Sequence, residues 1–392
     1  MDRLTAWLAQ AWMNVQNAVL AAVRWALFPH PFPEAPRTLV VFRVGNIGDT
    51  ITALPALAAI RRRFPESRML FMTSPGPAKL PGARELLEGS TLFDEMINYT
   101  EQDKATWRGK MALLKRLRSA KPEGYIELSM ALATFTVSLR NMVFARCTGA
   151  PALLGGRISV PSFGRRSHAR VYPQLHDAVR TMNLLAPLRL PPSPYDFPIP
   201  RSPEGQARAT TLTAPLRRPL VAFCPGGKRE INRWPVERFG QVAARLVERC
   251  GAGVVVIGGP GDQPLYKSIR DACPSAASAV GFNLRETAEL LRLANLLVTN
   301  DTGPMHLAAA VGTPVVAIFA ARDYPNSWYP YGGQHSVLRR EVPCACCFLE
   351  QCPTMHCNRD ITVDEVTATC QRRLQELSQD TAPKKQLPSR QA

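Results

Sequence analysis

Residues 296–310 read Leu296-Leu297-Val298-Thr299-Asn300-Asp301-Thr302-Gly303-Pro304-Met305-His306-Leu307-Ala308-Ala309-Ala310. Four residues that suit a buried strand, 296–299, run into a turn, and the turn into an apolar helix. Asp301 or Thr302 can cap that helix, and Pro304 sits near its first position, where no amide hydrogen is needed. Gly303 lets backbone amides come close to a ligand. Exposed amides and the helix dipole together make an anion site suited to a diphosphate. An ordinary strand-to-helix turn uses the same residue types, so the reading depends on its surroundings.

Working outward, the same strand–turn–helix unit recurs. Residues 38–42 read as a buried strand, Gly45-Asn46-Ile47-Gly48 as its turn, 49–64 as a helix and 68–73 as a second strand. Further on, 220–224, 253–257 and 314–319 read as strands, and 239–249, 287–294 and 363–377 as helices. Strands alternating with helices predict an α/β protein with parallel, doubly wound sheets. A chain of 392 residues is long for one domain, and a proline-rich break at 190–203 divides the pattern in two. The expected organisation is a helix and linker (1–36), a first domain (37–189), a linker (190–217), a second domain (218–362), a C-terminal helix (363–379) and a disordered tail (380–392). Sites in such sheets lie at the carboxyl ends of strands, so both domains offer loops to a shared cleft.

Two further turns carry chemistry. Gly226-Gly227-Lys228-Arg229-Glu230-Ile231-Asn232-Arg233-Trp234-Pro235 holds three cations beside a glycine turn. Lys228 and Arg233 there can neutralise phosphate oxygens and the charge that a diphosphate gains on leaving; a solvated basic loop is the plain alternative. Arg43-Val44-Gly45-Asn46-Ile47-Gly48-Asp49 lacks the third glycine of a dinucleotide fingerprint, and the second strand ends in Thr73-Ser74 with no acid for a ribose. A nicotinamide enzyme is therefore disfavoured. Asp49 begins a helix facing the cleft, where it can take a proton from an attacking hydroxyl or simply cap the helix; spacing leaves both roles open. Asp262, after the turn Gly258-Gly259-Pro260-Gly261, is a further ligand-side candidate.

The formal net charge is +17, which favours acidic partners. Basic residues are not interleaved with aromatics as in a base-stacking platform, so nucleic acid is not expected. Of ten cysteines, five crowd between Cys344 and Cys357. Cys344 and Cys347 form a CxxC pair that, with Cys352 and Cys357, offers four thiolates to a structural zinc; free or paired thiols are the alternatives, and a reducing compartment suits the scattered remainder. The first 28 residues lack the three parts of a signal peptide. Leu4, Leu8, Trp12, Val15, Val19 and Ala22 instead share one side of a helix, with Gln10, Asn14, Asn17 and Arg24 on the other. Such a helix, carrying Trp7, Trp12 and Trp25, can lie in a membrane interface or pack on its own protein, and periodicity does not separate the two.

Occurring together and in order, these motifs resemble glycosyltransferase family nine, the bacterial heptosyltransferases that build the lipopolysaccharide core. Residues 43–63 are similar to its N-terminal signature: an arginine, a short loop, Gly48-Asp49 and a helix carrying Pro55-Ala56-Leu57. Arg233-Trp234-Pro235 and Asp301-Thr302-Gly303-Pro304 with His306 resemble its two C-terminal signatures, and 328–332 with the cysteine segment also match. The likeness runs from about 38 to 378. It implies a GT-B fold, two Rossmann-like domains facing across a cleft, with the N-terminal helix as an addition. It implies inverting, metal-independent transfer from an ADP-sugar with no cofactor, Asp49 as general base, and Asp301, Thr302 and Gly303 as the donor phosphate loop. Lys228, Asn232, Arg233, Asp262, Pro304 and His306 complete the donor-side candidates. On the acceptor side are Arg43 and Asn46, with Arg165 and Arg166 offered to an anionic acceptor. Two departures stand out: Asn232 occupies a position where many members have lysine, and Ala320-Ala321-Arg322-Asp323 replaces a common Gly-Pro-Thr-Asp. The basic charge and first helix predict docking on the cytoplasmic face of the inner membrane, beside a phosphorylated glycolipid. Two other readings are a non-catalytic nucleotide-sugar-binding protein of a membrane glycan assembly, and a GT-B nucleotide-sugar epimerase.

Overall fold

The computed structural model describes residues 2–74, 82–98, 100, 105–128, 132–191 and 194–380. The first half runs α1 (Asp2–Leu27), β1 (Thr38–Arg43), α2 (Ile47–Arg63), β2 (Arg68–Thr73), α3 (Ala83–Leu87), β3 (Glu95–Asn98), α4 (Trp107–Ser119), β4 (Gly124–Glu127), α5 (Phe135–Cys147), β5 (Leu153–Gly155), α6 (Arg165–Val171) and α7 (Asp177–Asn183). The second runs α8 (Pro203–Thr213), β6 (Leu220–Cys224), α9 (Val236–Cys250), β7 (Gly253–Gly258), α10 (Gln263–Ala272), β8 (Ala277–Val280), α11 (Leu284–Leu293), β9 (Leu296–Asn300), α12 (Gly303–Ala310), β10 (Val315–Phe319), β11 (Ser336–Arg339), α13 (His356–Arg359) and α14 (Val363–Asp380).

These strands form two parallel sheets, ordered β3-β2-β1-β4-β5 and β11-β10-β9-β6-β7-β8. Sheets covered by helices on both faces need strands that are apolar throughout rather than alternately. β6 and β10 meet that requirement, and β9 does so up to Thr299 and Asn300, which are polar but equally buried. Each sheet reverses its strand order beside its first strand, between β1 and β4 and between β6 and β9. A crevice opens at the carboxyl ends of the strands at such a reversal. Asp49 follows β1, Lys228 follows β6 and Asp301 follows β9, so the three turns singled out in the sequence all lie at switch points.

Helix α2 is buried continuously from Asp49 to Ile60. It covers β1, and it also packs on α7 and on α12 of the second half. An interdomain position explains why it is buried on every side over that stretch.

The stretch expected to be linker to residue 217 is partly helical. α8 packs on α11 of the second domain, with its start capped by Ser202. α14 closes the other face, where Val366, Cys370 and Leu374 join Phe239 and Leu246 in one core. Asp380 is the last residue of α14, and the rest of the expected tail, 381–392, lies outside the described residues.

α1 packs on α5 and α6, but not through its most apolar side. Ala6, Ala9, Met13 and Leu20 face the protein. On that inner side Asn17 bonds both backbone groups of Ile158, at 3.0 Å each, and Gln10 meets His168 at 2.9 Å. The small alanines allow close approach and the amides satisfy buried polar groups. The face carrying Leu4, Trp7, Leu8, Trp12, Val15, Val19 and Trp25 points outward, with Trp25 77% exposed. Among the described residues no helix is long and apolar enough to cross a membrane.

Candidate active site

Asp49 lies in the first turn of α2. Its Oδ2 accepts the amide of Asn46 at 2.8 Å, and its Oδ1 stands 3.5 Å from Arg43 Nη2. The helix-capping role is therefore real, and it leaves Oδ1 beside a single guanidinium. The residue is 7% exposed. Burial raises its proton affinity above that of an ordinary aspartate, Arg43 opposes, and the negative charge of Asp177 adds to the rise.

Asp177 is the hub beneath Asp49, and the sequence did not single it out. Its Oδ2 accepts Arg43 Nη2 at 2.6 Å and the Thr52 hydroxyl at 2.7 Å, while Oδ1 accepts Arg180 at 2.6 and 2.9 Å. Burial alone would raise this carboxyl, but Arg43 and Arg180 outweigh it and hold it well below the usual carboxylate range. Arg43, expected to touch an acceptor, is 1% exposed. It also donates to the carbonyls of Leu128 and Asp49. It orients the carboxylates and does not reach solvent.

On the opposite side, Asn300 staples two loops: its amide donates to the carbonyls of Pro225 and Gly226, and its oxygen accepts the amide of Trp234. Thr302 is the residue before α12, yet its side chain makes no capping bond; its hydroxyl pairs with Thr299 instead. The first-turn amides of α12 are thus not capped by that side chain. Asp301 accepts the Asn232 amide at 2.9 Å. Burial pushes its carboxyl up to about 7, with Asp323 adding and Arg229 and Arg322 opposing. Asn232, expected to contact the donor, is buried and occupied with this bond. Of the three loop cations, Arg229 pairs with Glu350 at 2.9 Å and Arg233 donates to the Gly227 carbonyl at 2.7 Å. Lys228 reaches across to Asn46 Oδ1 at 3.1 Å. Asp262 accepts the amide of Gly259 and lies beside Gly226.

The two halves meet without room to spare. A Cβ on Gly303 would fall 2.2 Å from Ile47 Cγ2, and one on Gly48 would fall 2.9 Å from His306 Cδ2. Here glycine is required by close approach. His306 is buried against this seam, with its ring edge-on to Trp328. Burial drives its pKa down to about 3, so it is neutral at neutral pH and acts as a wedge.

The remaining candidates sit elsewhere. Arg165 stacks over Phe348, 5.3 Å from the ring centroid, and Arg166 lines a groove with Arg339 and Cys346. The zinc considered from spacing is not assembled: among the described residues no three His, Cys, Asp or Glu side chains are placed to hold a metal ion. All ten cysteines are free thiols. Burial, together with the nearby Cys344, Cys347 and Cys352, pushes the thiol of Cys357 up, yet their contacts differ: Cys344 is exposed, Cys352 accepts the amide of Met355, and Cys357 is buried against Ala320 and Ala321, while Cys346 turns to the Asp323 carbonyl.

Comparison with known proteins bears on this arrangement. Residues 138–357, over half of the chain, match the sequence profile of glycosyltransferase family 9 (heptosyltransferase). Lipooligosaccharide heptosyltransferase 2 of Haemophilus influenzae is 32% identical over 129 residues, which is 31% of this chain but only 37% of that protein. Lipopolysaccharide heptosyltransferase 1 of Pseudomonas aeruginosa is 25% identical over 81% of this chain and 87% of its own length. The crystal structure of a glycosyltransferase family 9 protein from Veillonella parvula superposes with a TM-score of 0.70 at 23% identity, covering 87% of this chain and 98% of that one. The shared architecture is the GT-B arrangement of two Rossmann-like domains.

Proposed function

The chain belongs to glycosyltransferase family 9, and from that premise we propose that it moves a heptose, or a related sugar, from an ADP-linked donor to a hydroxyl of a lipopolysaccharide core or similar bacterial glycan, with inversion and without need of a metal ion. The observation that carries this reading is the abutment of two helix starts at the switch points of both sheets. One brings a carboxylate of raised proton affinity and the other first-turn amides, while the turn after β6 adds Lys228.

In this mechanism Asp49 Oδ1 takes the proton of the acceptor hydroxyl while its oxygen attacks the anomeric carbon from the face opposite the nucleotide. The bond from that carbon to the diphosphate oxygen breaks. The departing charge falls to the amides at Gly303, to Lys228 and to Arg233, so fixed dipoles and cations supply the neutralisation. Asp177 keeps Arg43 turned mostly to itself, which leaves Asp49 basic enough to accept a proton. Positioned base catalysis contributes about 10²–10⁴ in rate. With purified protein, ADP-heptose and a heptose-deficient lipopolysaccharide acceptor, Asp49→Asn should lower turnover by about that factor while ADP binding persists. Turnover within a few-fold of the original would remove Asp49 from the mechanism.

The outward face of α1 supports docking on an anionic membrane surface, the place of the glycolipid acceptor. Three tryptophans stand on it, an arrangement suited to the headgroup boundary, and the net charge of +17 attracts anionic lipid.

A further inference from the structure

The loop 320–335, between β10 and β11 of the second domain, touches both halves of the proposed site. Its Trp328 stands edge-on to His306 of α12, and its Ser327 and Tyr329 hold the start of α7. The amide of Asp177 donates to the Ser327 carbonyl at 3.0 Å. His176, the residue before α7, uses both ring nitrogens: Nδ1 accepts the amide of Ala178 at 3.0 Å, and Nε2 meets the Tyr329 carbonyl at 2.8 Å. An amide at one nitrogen and a carbonyl at the other fix a single neutral tautomer, with its hydrogen on Nε2. Burial favours the same neutral form. Tyr331 packs across the imidazole, 5.0 Å between centroids, and Tyr195 of the interdomain linker stacks on Tyr331. α7 is thereby divided between the domains. Its first turn is bonded to the second, while the Asp177 side chain serves the first, accepting from Arg43 of β1 and Thr52 of α2. Capping a helix needs only an acceptor, which serine or asparagine supplies in less space. Histidine adds a donor on the far side of its ring, aimed across the domain boundary.

We propose that His176 is a positioning residue for the transfer: through Tyr329 the second domain fixes the start of α7, and with it the placement of the Asp177 carboxylate against Arg43 on which the basicity of Asp49 depends. The inference rests on the transferase reading. Without the bond to Tyr329, α7 keeps one bond to the loop instead of two, and Asp177 can draw back from Arg43. Arg43, already 3.5 Å from Asp49 Oδ1, then turns toward Asp49 while the negative charge of Asp177 recedes. Both changes lower the proton affinity of Asp49. Among the described residues, the charged groups acting on Asp49 are Arg43, Asp177 and Arg180. Those beside His176 are Asp177 and His306, and His306 is neutral at neutral pH.

The test uses the full chain, ADP-heptose and a water-soluble acceptor, the deacylated core oligosaccharide, so that membrane docking plays no part. Two substitutions separate the two ring nitrogens. In His176→Asn the side-chain oxygen takes the place of Nδ1 and caps α7, but nothing reaches Tyr329. In His176→Gln the side-chain nitrogen takes the place of Nε2 and donates to Tyr329, but the cap is lost. His176→Asn should move the acidic limb of the kcat/KM profile to lower pH. Its kcat should fall by up to the roughly 10²-fold that a misplacement of about 1 Å can cost, with ADP affinity unchanged. His176→Gln should keep the acidic limb of the natural protein. An acidic limb that stays in place in His176→Asn overturns the inference, and so does one that moves equally in His176→Gln, since the bond to Tyr329 is then not the cause. Absence of transfer by the unaltered protein would instead count against the transferase reading.

Discussion

Replacing Asp177 by asparagine tests the buried ion network on two independent axes. The carboxylate accepts from Arg43, Arg180 and Thr52 with no exposure to water. Its loss leaves two guanidinium groups buried without their counter-charge. Breaking one side of a buried pair costs about 3–5 kcal/mol, a large part of the roughly 5–15 kcal/mol that holds a domain folded. At about 2–4 °C per kcal/mol for a domain of this size, the first domain should melt roughly 6–20 °C lower. The sign with pH is fixed by the depressed native pKa of Asp177. Its contribution is complete above the unfolded value of about 3.9 and is lost only on acidification below it, so the gap between the two proteins should be flat from pH 5 to 8. The second axis is catalytic. Asp177 raises the Asp49 pKa by its charge and holds Arg43 away. In Asp177→Asn the first effect disappears and Arg43 turns to Asp49, so both changes lower the Asp49 pKa. The acidic limb of the kcat/KM profile should therefore move to lower pH, with a reduced plateau from a weaker base. Differential scanning calorimetry and a pH–rate series read the two axes. An acidic limb that stays in place or moves upward would refute the coupling of Asp177 to Asp49.

Three further outcomes follow. Asp301 carries a carboxyl pushed up to about 7 beside the proposed diphosphate loop, so its charge grows as pH rises and repels the nucleotide. ADP should then bind more weakly at pH 8 than at pH 6 by a larger factor in the natural protein than in Asp301→Asn, and calorimetry showing equal pH dependence would exclude this. Gly303→Ala places a methyl carbon 2.2 Å from Ile47 Cγ2 and should cut transfer at least tenfold by forcing the helix starts apart, as a misplacement of about 1 Å can; Gly303→Ala with Ile47→Ala should recover much of it, and a double variant no better than the single one would locate the damage elsewhere. Changing Trp7, Trp12 and Trp25 together to glutamine should release the protein from vesicles containing anionic lipid in a flotation assay, without lowering the melting temperature, since all three lie on the exposed face of α1; retained binding would place the membrane contact on another surface.

The sheets were legible because a strand buried on both faces must be apolar along its length, and β2 and β6 have the bounds read from their sequences. The turns after β1, β6 and β9 were legible because glycine, proline and capping residues mark them. What could not be read depended on distance along the chain. Asp177 looked like an ordinary helix start, and only folding brings it within 2.6 Å of Arg43, 134 residues earlier. Arg43 stands on the acceptor side only through the family resemblance, whereas in the structure it is buried and held by the Asp177 carboxylate. Asn232 was likewise illegible as a buried partner of Asp301, to which its amide donates across 69 residues of sequence. The packing side of α1 was not legible, since it is held by alanines and amides rather than by its bulkiest groups. A single clue to the hub was available, the pairing of Asp177 with Arg180 at helical spacing, but such pairs are common on surfaces.

The bond from Lys228 to Asn46 bears on donor binding. Asn46 is the residue from which α2 springs, and its own amide is the one that holds Asp49 Oδ2. A diphosphate settling at the glycine turn competes for the same ammonium and so detaches it from Asn46. On the proposed transfer, loss of this bond would free the Asn46 side chain at the start of the helix that carries Asp49, and the bond would re-form when the nucleotide leaves.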